Sequence, residues 1–149
     1  MPKGQGDNEV VDGRYVVRNR RADVESVQAE LLAQIAARRY DDASRFAIRL
    51  ALEEALTNAF KHGNNDRPDS TVNLVYRIGP ESVELEIEDE GDGFDLHAVP
   101  DPTVEENVEI PAGRGIVLMR AFMTDVQFIP PGNRVRMVFR APDGHRAQP

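Results

Sequence analysis

Apolar residues recur at helical spacing in two segments of the N-terminal half. Residues 22–39 carry the first set, which predicts an amphipathic helix: Val24, Val27, Leu31, Ile35 and Ala36. A second helix is predicted to begin near Asp41 or Asp42 and to end at Gly63, a residue type that commonly terminates helices. The apolar arc of this helix comprises Ile48, Leu52, Ala55, Leu56 and Ala59. Each helix therefore has one side suited to packing against another layer.

Short β-rich segments occupy much of the remaining chain. Five of them predict strands: 14–20 as an edge strand, 70–78, 82–89, 125–129 and 134–140. Residues 82–89 alternate strictly, with Val83, Leu85 and Ile87 on one face and glutamates on the other, which indicates one buried and one solvated face. The apolar segment 115–123 predicts a third, buried helix.

This order of elements predicts an α+β fold, a two-layer α/β sandwich with a mostly antiparallel sheet and helices on one face. We expect a single domain over residues 13–141, between flexible tails at 1–12 and 142–149. Residues 97–113 contain three prolines and no clear periodicity. A loop of this length within a compact domain is usually functional or mobile.

Composition narrows the classes of function. The net charge of -8 argues against nonspecific binding to nucleic acid or to an anionic membrane. Without cysteine, disulfides, zinc–thiolate sites and cysteine nucleophiles are excluded. No apolar run approaches the roughly 20 residues of a bilayer span, and the N-terminus lacks the apolar stretch of a secretory signal. We therefore expect a cytoplasmic protein that binds neither membrane nor nucleic acid.

Three polar residues of the second helix lie near one flank because they are spaced four apart: Glu54, Asn58 and His62. One interpretation is a solvated face on which His62 caps the helix end. The other is a site for a hard cation, because the amide oxygen of Asn58 suits Mg²⁺ beside phosphates. Glu54, one turn earlier, is then placed to orient or deprotonate a hydroxyl or a water.

The stretch DEGDGFD, residues 89–95, follows the alternating strand. One interpretation is a turn that closes an edge strand. The alternative is a pocket for a flat ligand, because Gly91 and Gly93 permit close approach to the backbone. The carboxylate of Asp89 can accept a hydrogen bond from an exocyclic amine such as that of adenine.

The stretch AGRGIVLM, residues 112–119, places Gly113, Arg114 and Gly115 at the junction between the preceding loop and the third predicted helix. One interpretation is a flexible hinge at a loop-to-helix junction. The alternative is an anion site, in which backbone N–H groups at the helix start and the Arg114 guanidinium face phosphate oxygens. Because the GxxxxGK[ST] pattern is absent, nucleotide chemistry would need a phosphate cradle other than a P-loop.

In this order the three motifs resemble those of the Bergerat-fold (GHKL) ATPases. There a helix carries E/H-x-x-x-N, a strand ends in D-x-G-x-G, and a glycine-rich segment follows a mobile lid. The chain is more closely similar to the anti-sigma-factor serine kinases of bacterial partner-switching systems, on EALTNAFKHGN, DEGDGFD and GRGIVLMRAFMTDV. The resemblance covers about residues 14–140.

The resemblance implies an ATP-dependent protein-serine kinase and anti-sigma factor that phosphorylates a serine on a STAS-type anti-anti-sigma protein. ATP and Mg²⁺ are the implied cofactors, and a sigma factor and a second copy of the chain are further implied partners. The implied general base is Glu54, and the implied Mg²⁺ ligand is Asn58. Asp89 is implied to bind the adenine amine, Gly91 and Gly93 to shape the adenine pocket, residues 97–113 to form an ATP lid, and Gly113, Arg114 and Gly115 to contact the phosphates. His62 is counted with these cofactor-binding residues, as a brace of the motif or a cap of the helix.

One position departs from the family pattern. Asn133 and Arg134 stand near the adenine corner, where the family often has threonine. This departure and the acidic lid leave open an alternative, a non-catalytic nucleotide-binding module that regulates by sequestering a protein partner. A sensor histidine kinase is a third option, but no histidine precedes the motif helix to accept the phosphoryl group.

Overall fold

The computed structural model describes residues 8–91, 111–130 and 132–142. The elements follow one another as β1 (Val11–Arg18), α1 (Arg21–Ala37), α2 (Asp42–Asn58), β2 (Thr71–Ile78), β3 (Ser82–Glu88), α3 (Pro111–Phe122), β4 (Asp125–Ile129) and β5 (Arg134–Arg140). A π-helical turn, Ala59–Gly63, continues α2. The predicted helices and strands are therefore present, with shifted ends. β1 takes in Val11 and Asp12, which the sequence had suggested belong to the N-terminal tail.

The five strands form one antiparallel sheet in the order β1-β2-β3-β5-β4. β1 lies at an edge, as predicted, and β3 lies at the centre. The register aligns Leu74, Ile87 and Val135 on neighbouring strands, and all three are buried. The alternation of β3 thus has the predicted consequence, because Val83, Leu85 and Ile87 face the core. The α+β prediction is confirmed.

The helices supply the other half of the core. All five predicted apolar positions of α2 are buried. In α1, Val27, Leu31 and Ile35 are buried, but the prediction was wrong for Ala36, which is exposed. Ala36 lies about 100° around the helix from Ile35 and so points away from the core. Within the described residues, no helix is both long and apolar enough to cross a membrane.

The last turn before Gly63 is wider than an α-helical turn. The Asn64 N–H donates to the Ala59 carbonyl oxygen over 2.9 Å, an i to i−5 bond. A π turn rotates each residue by less than an α turn, so side chains after Asn58 leave the flank that α-helical spacing predicts. Glu54 and Asn58 are accordingly half-buried, whereas His62 is exposed.

Candidate functional site

A cleft brings together two of the predicted motifs. It lies where the end of α2 meets the end of β3 and the turn between β4 and β5. Asn58, Asp89 and Asn133 contribute its polar groups, and Ala55, Ile87 and Phe128 are among its apolar lining residues. Asp89 reaches this place because β3 is central and its alternating residues hold it against α2. The juxtaposition arises from packing between elements far apart in the sequence.

The side-chain oxygen of Asn58 is the unusual atom in this cleft. Oδ1 is buried, and it has no hydrogen-bond partner among the described residues. Leaving a buried acceptor unsatisfied costs about 1–3 kcal/mol, so such an atom in a cleft is suited to a ligand. Oxygen is the ligand type that Mg²⁺ prefers, and the site therefore fits this ion. Glu54 lies one helical turn earlier and is half-buried.

The carboxylate of Asp89 is held inward by its own turn. The Gly91 N–H donates to Asp89 Oδ1 over 2.7 Å. Burial raises the pKa of Asp89, the neighbouring Glu88 and Glu90 raise it further, and the Gly91 N–H opposes them. A desolvated acceptor of this kind gains from a donor supplied by a ligand.

Two glycines allow the helix end and this turn to approach each other. A Cβ added at Gly63 would lie 2.1 Å from Asp89 Oδ2, and one added at Gly91 would lie 2.2 Å from the Gly63 carbonyl oxygen. Both distances are well inside van der Waals contact. Gly63 therefore does more than end a helix, because its lack of a side chain makes room for Asp89.

Sequence reasoning missed the contribution of Asn133. The Asp89 N–H donates to the Asn133 carbonyl oxygen over 2.9 Å, and Asn133 Nδ2 donates to the Asp89 carbonyl oxygen over 3.2 Å. Next to it, Arg134 pairs with Glu88 at 3.0 Å. The departure from the family pattern thus falls on two residues that hold the end of β3. Only the β3–β5 register reveals this, because nothing local in the sequence marks Asn133 as a partner of Asp89.

The other predicted site residues are placed as follows. Gly93 and most of the proposed lid, residues 97–110, lie outside the described residues. Gly113, Arg114 and Gly115 lie within the first turns of α3, so the prediction that this helix begins only at Gly115 was wrong. Pro111 is the first residue of α3. Proline is favoured there because its fixed φ suits a helix and its missing N–H is not needed, which explains the earlier start.

Curated relatives match part of the chain. A 33% identical match over 86 residues is to the serine-protein kinase RsbW of Oceanobacillus iheyensis, covering 54% of this chain and 54% of that protein. A 35% identical match over 79 residues is to the anti-sigma F factor of Heyndrickxia coagulans, covering 51% of this chain and 54% of that protein. The chain thus spans about half the length of these relatives.

A solved structure has the same fold. The crystal structure of the RsbU and RsbW domains of Rv1364c from Mycobacterium tuberculosis superposes with a TM-score of 0.58 at 13% identity, covering 87% of this chain and 31% of that one. Residues 17–139 match the model of the histidine kinase-like ATPase domain. Because this match takes in most of the chain, the protein belongs to the histidine kinase-like ATPase domain family.

Proposed function

We propose that this protein is an ATP-dependent protein-serine kinase and anti-sigma factor of a bacterial partner-switching system. Its acceptor would be a serine on a STAS-type anti-anti-sigma protein. The observation that carries the proposal is the buried Oδ1 of Asn58, which has no hydrogen-bond partner in the part of the chain that the structure describes and shares one cleft with Asp89, one turn after Glu54. Family membership and relatives named as a serine-protein kinase and an anti-sigma factor support it.

Each end of the cleft has a chemical role in this proposal. Asn58 would hold Mg²⁺, which supplies charge neutralisation for the triphosphate. Asp89 would accept a hydrogen bond from the adenine amine, with Gly91 and Gly93 shaping that pocket. Gly113, Arg114 and Gly115 would bind phosphate oxygens, since they lie in the first turns of α3, at the end of the helix whose dipole favours an anion. His62, which is exposed, would have no direct contact with nucleotide.

Glu54 would act on the acceptor protein. As the serine oxygen bonds to the γ-phosphorus, the bond from that phosphorus to the β–γ bridging oxygen breaks and ADP leaves. The serine proton goes to the Glu54 carboxylate, which is half-buried and therefore partly shielded from water. Positioning and charge stabilisation do most of the work in phosphoryl transfer, so Glu54 adds to a rate that the bound nucleotide geometry makes possible.

The decisive experiment uses Glu54→Gln with Glu53→Gln as its matched control. Glu53 is the adjacent residue of α2 and is exposed. Purified variants are incubated with γ-labelled ATP, Mg²⁺ and a STAS-domain protein encoded near this gene. We expect wild type and Glu53→Gln to transfer label. Glu54→Gln should bind ATP as wild type does but should transfer the labelled γ-phosphoryl group at least about 100-fold more slowly. Equal transfer by both variants would overturn the role of Glu54.

The alternative function, a nucleotide-binding module that sequesters its partner without catalysis, is separated by the same variant. Its motivation was the acidic lid, most of which lies outside the described residues, and the Asn133–Arg134 departure. Asn133 and Arg134, however, form bonds that support Asp89 and Glu88. If Glu54→Gln regulates the partner in cells as wild type does, sequestration is the main activity. If regulation is lost together with transfer, the kinase function is required.

We further propose a cytoplasmic homodimer that binds a sigma factor. The anti-sigma F factor relative supports a sigma-factor partner. Light scattering after size-exclusion chromatography should give twice the mass of one 16.6 kDa chain, and a monomeric mass would contradict the dimer. Co-purification with candidate sigma factors, with and without the STAS protein, tests the partner.

A further inference from the structure

Asp89 is fixed from two sides, by the residues before β5 and by the end of the π turn. Asn133 holds its backbone on the side of β5. The opposite side faces the end of the π turn, where Gly63 leaves no spare room next to the carboxylate. A shift of a few tenths of an ångström would therefore change where this acceptor points. The orientation of the carboxylate therefore depends on a residue that fixes the turn after Asp89 from the side of α2.

Asn64 occupies that position. It follows the π turn, and only 1% of its surface is exposed. Its Oδ1 accepts from the Glu90 N–H over 2.7 Å, and its Nδ2 donates to the Thr71 carbonyl oxygen over 3.0 Å. Its own N–H closes the π turn onto Ala59. One buried side chain thus ties the helix end to the start of β2 and to the residue after Asp89.

Glu90 adds a second tie at the same place. Its Oε2 accepts from the Thr71 N–H over 2.8 Å and lies 3.6 Å from an Arg67 nitrogen. The ion pair is half-exposed and contributes little. The directional bond to Thr71 is the stronger constraint, because it joins Glu90 to the same residue that Asn64 binds.

The Asp89 carboxylate would leave this position if it were free to do so. Burial raises its pKa, which means that the ionised group loses hydration in the folded protein. It stays inward because the backbone on both sides of it is held. Releasing the Glu90 N–H would also leave a polar group without its partner, and the turn would relax toward water to satisfy it.

We propose that Asn64 is the positioning residue that aims the Asp89 carboxylate and so sets the preference of the site for adenine. This inference rests on the proposed function, in which Asp89 accepts from the adenine amine. Hypoxanthine has a carbonyl oxygen where adenine has this amine. A correctly aimed carboxylate favours ATP over ITP, and a displaced one treats them more equally.

The ratio of ITP to ATP dissociation constants separates positioning from general stability. A variant that merely unfolds more easily weakens both nucleotides together. We expect wild type to prefer ATP, and Asn64→Ala to reduce the ITP/ATP ratio about tenfold, with most of the change in ATP affinity. The matched control is Ser70→Ala, another buried polar residue of the same loop, whose hydroxyl donates to the Arg67 carbonyl oxygen and, among the described residues, forms no hydrogen bond with Asp89 or Glu90. It should lower the melting temperature and keep the ratio.

Each outcome of this experiment has a separate meaning. If wild type binds neither nucleotide, the proposed function fails and this inference fails with it. If wild type discriminates, Asp89→Ala does not and Asn64→Ala still does, the inference is overturned while the proposed function stands. If Asn64→Ala does not fold, Asn64→Gln keeps an amide at this position but moves it by one methylene away from the Glu90 N–H and the Thr71 carbonyl oxygen. A drop in the ratio then supports the inference, and an unchanged ratio contradicts it.

Discussion

At the scale of single residues, folding buries the Asp89 carboxylate and removes part of its hydration. Burial raises its pKa, so the folded protein binds this proton more tightly than the unfolded chain does. Its contribution to stability is therefore complete below its ordinary pKa of 3.8 and is lost as the pH rises through the folded value. A carboxyl group whose pKa is raised by burial in a cleft is typical of functional sites.

The first prediction concerns Asp89→Asn without nucleotide. The amide keeps an acceptor for the Gly91 N–H but has no charge to desolvate. We expect its free energy of unfolding at neutral pH to equal or exceed that of wild type, and its decline as the pH rises above the ordinary aspartate pKa of 3.8 to be shallower. Urea titrations across this range measure both, with Glu53→Gln as an exposed control. If the variant were less stable than wild type at neutral pH, burial of the Asp89 carboxylate would not lower the free energy of unfolding as predicted.

A second prediction concerns steric room. In Gly91→Ala the new methyl meets the Gly63 carbonyl oxygen, a backbone atom that cannot rotate away. We expect a loss of about 1–3 kcal/mol in unfolding free energy and weaker ATP binding. In Gly79→Ala the nearest atom is a Val10 methyl at 3.1 Å, which can move, so this control should lose less stability and keep its affinity for ATP. Equal effects in both variants would argue against close packing at the site.

At the scale of elements, the N-terminal end of α2 contributes to stability and its C-terminal end contributes to the proposed binding site. The Asp41 carboxylate caps its N-terminus by accepting from the Ser44 N–H over 2.8 Å. Asp41→Ala should cost about 0.5–2 kcal/mol in unfolding free energy. Asp41 precedes Asn58 by about 25 Å of helix, so the nucleotide dissociation constant should not change. Chemical denaturation measures the unfolding free energy and calorimetry measures the nucleotide dissociation constant. The control is Asp42→Ala, which removes no cap bond. A weakened affinity in Asp41→Ala alone would show coupling along the helix.

Elements with strong periodicity were predictable from the sequence, and those set by tertiary contacts were not. The arc of α2 and the alternation of β3 carried enough signal to place Ile48 and Leu85 in the core. The π turn carried none, since its i to i−5 bond depends on how Asn64 is held by β2 and by Glu90. The start of α3 was missed because glycines were weighted above Pro111, which favours the first position of a helix.

The candidate site divides in the same way. Glu54, Asn58 and Asp89 could be proposed from the sequence because their motifs are local and spaced along one helix or at one strand end. Asn64 and Asn133 were not found as site residues, because each acts on the Asp89 turn from 26 and 44 residues away in the sequence. Their roles exist only after the strands are paired. Supporting side chains of this kind need the register, which one sequence does not provide.

At the scale of the whole molecule, the cleft is made by parts that meet only in the folded state. Asn58 comes from the helical layer, Asp89 from the residue that follows the central strand, and Asn133 from the turn before β5. An unfolded chain does not assemble them. A ligand that contacts all three therefore binds the folded protein alone and stabilises the entire fold by mass action.

This gives the last prediction, a metal-dependent rise in melting temperature. ATP with Mg²⁺ at 100 times its dissociation constant should add about 2.7 kcal/mol of stability, or about 5–10 °C for a chain of this size. The rise should shrink when EDTA removes the metal.

In Asn58→Ala, which lacks the buried Oδ1 that has no partner among the described residues, Mg²⁺ should make little difference to the melting temperature. Asn73→Ala is the matched control, because Asn73 lies in β2 and its Oδ1 accepts from Arg14, outside the cleft. It should respond to Mg²⁺ as wild type does. An Asn58→Ala protein with an undiminished metal response would show that the ion is held elsewhere.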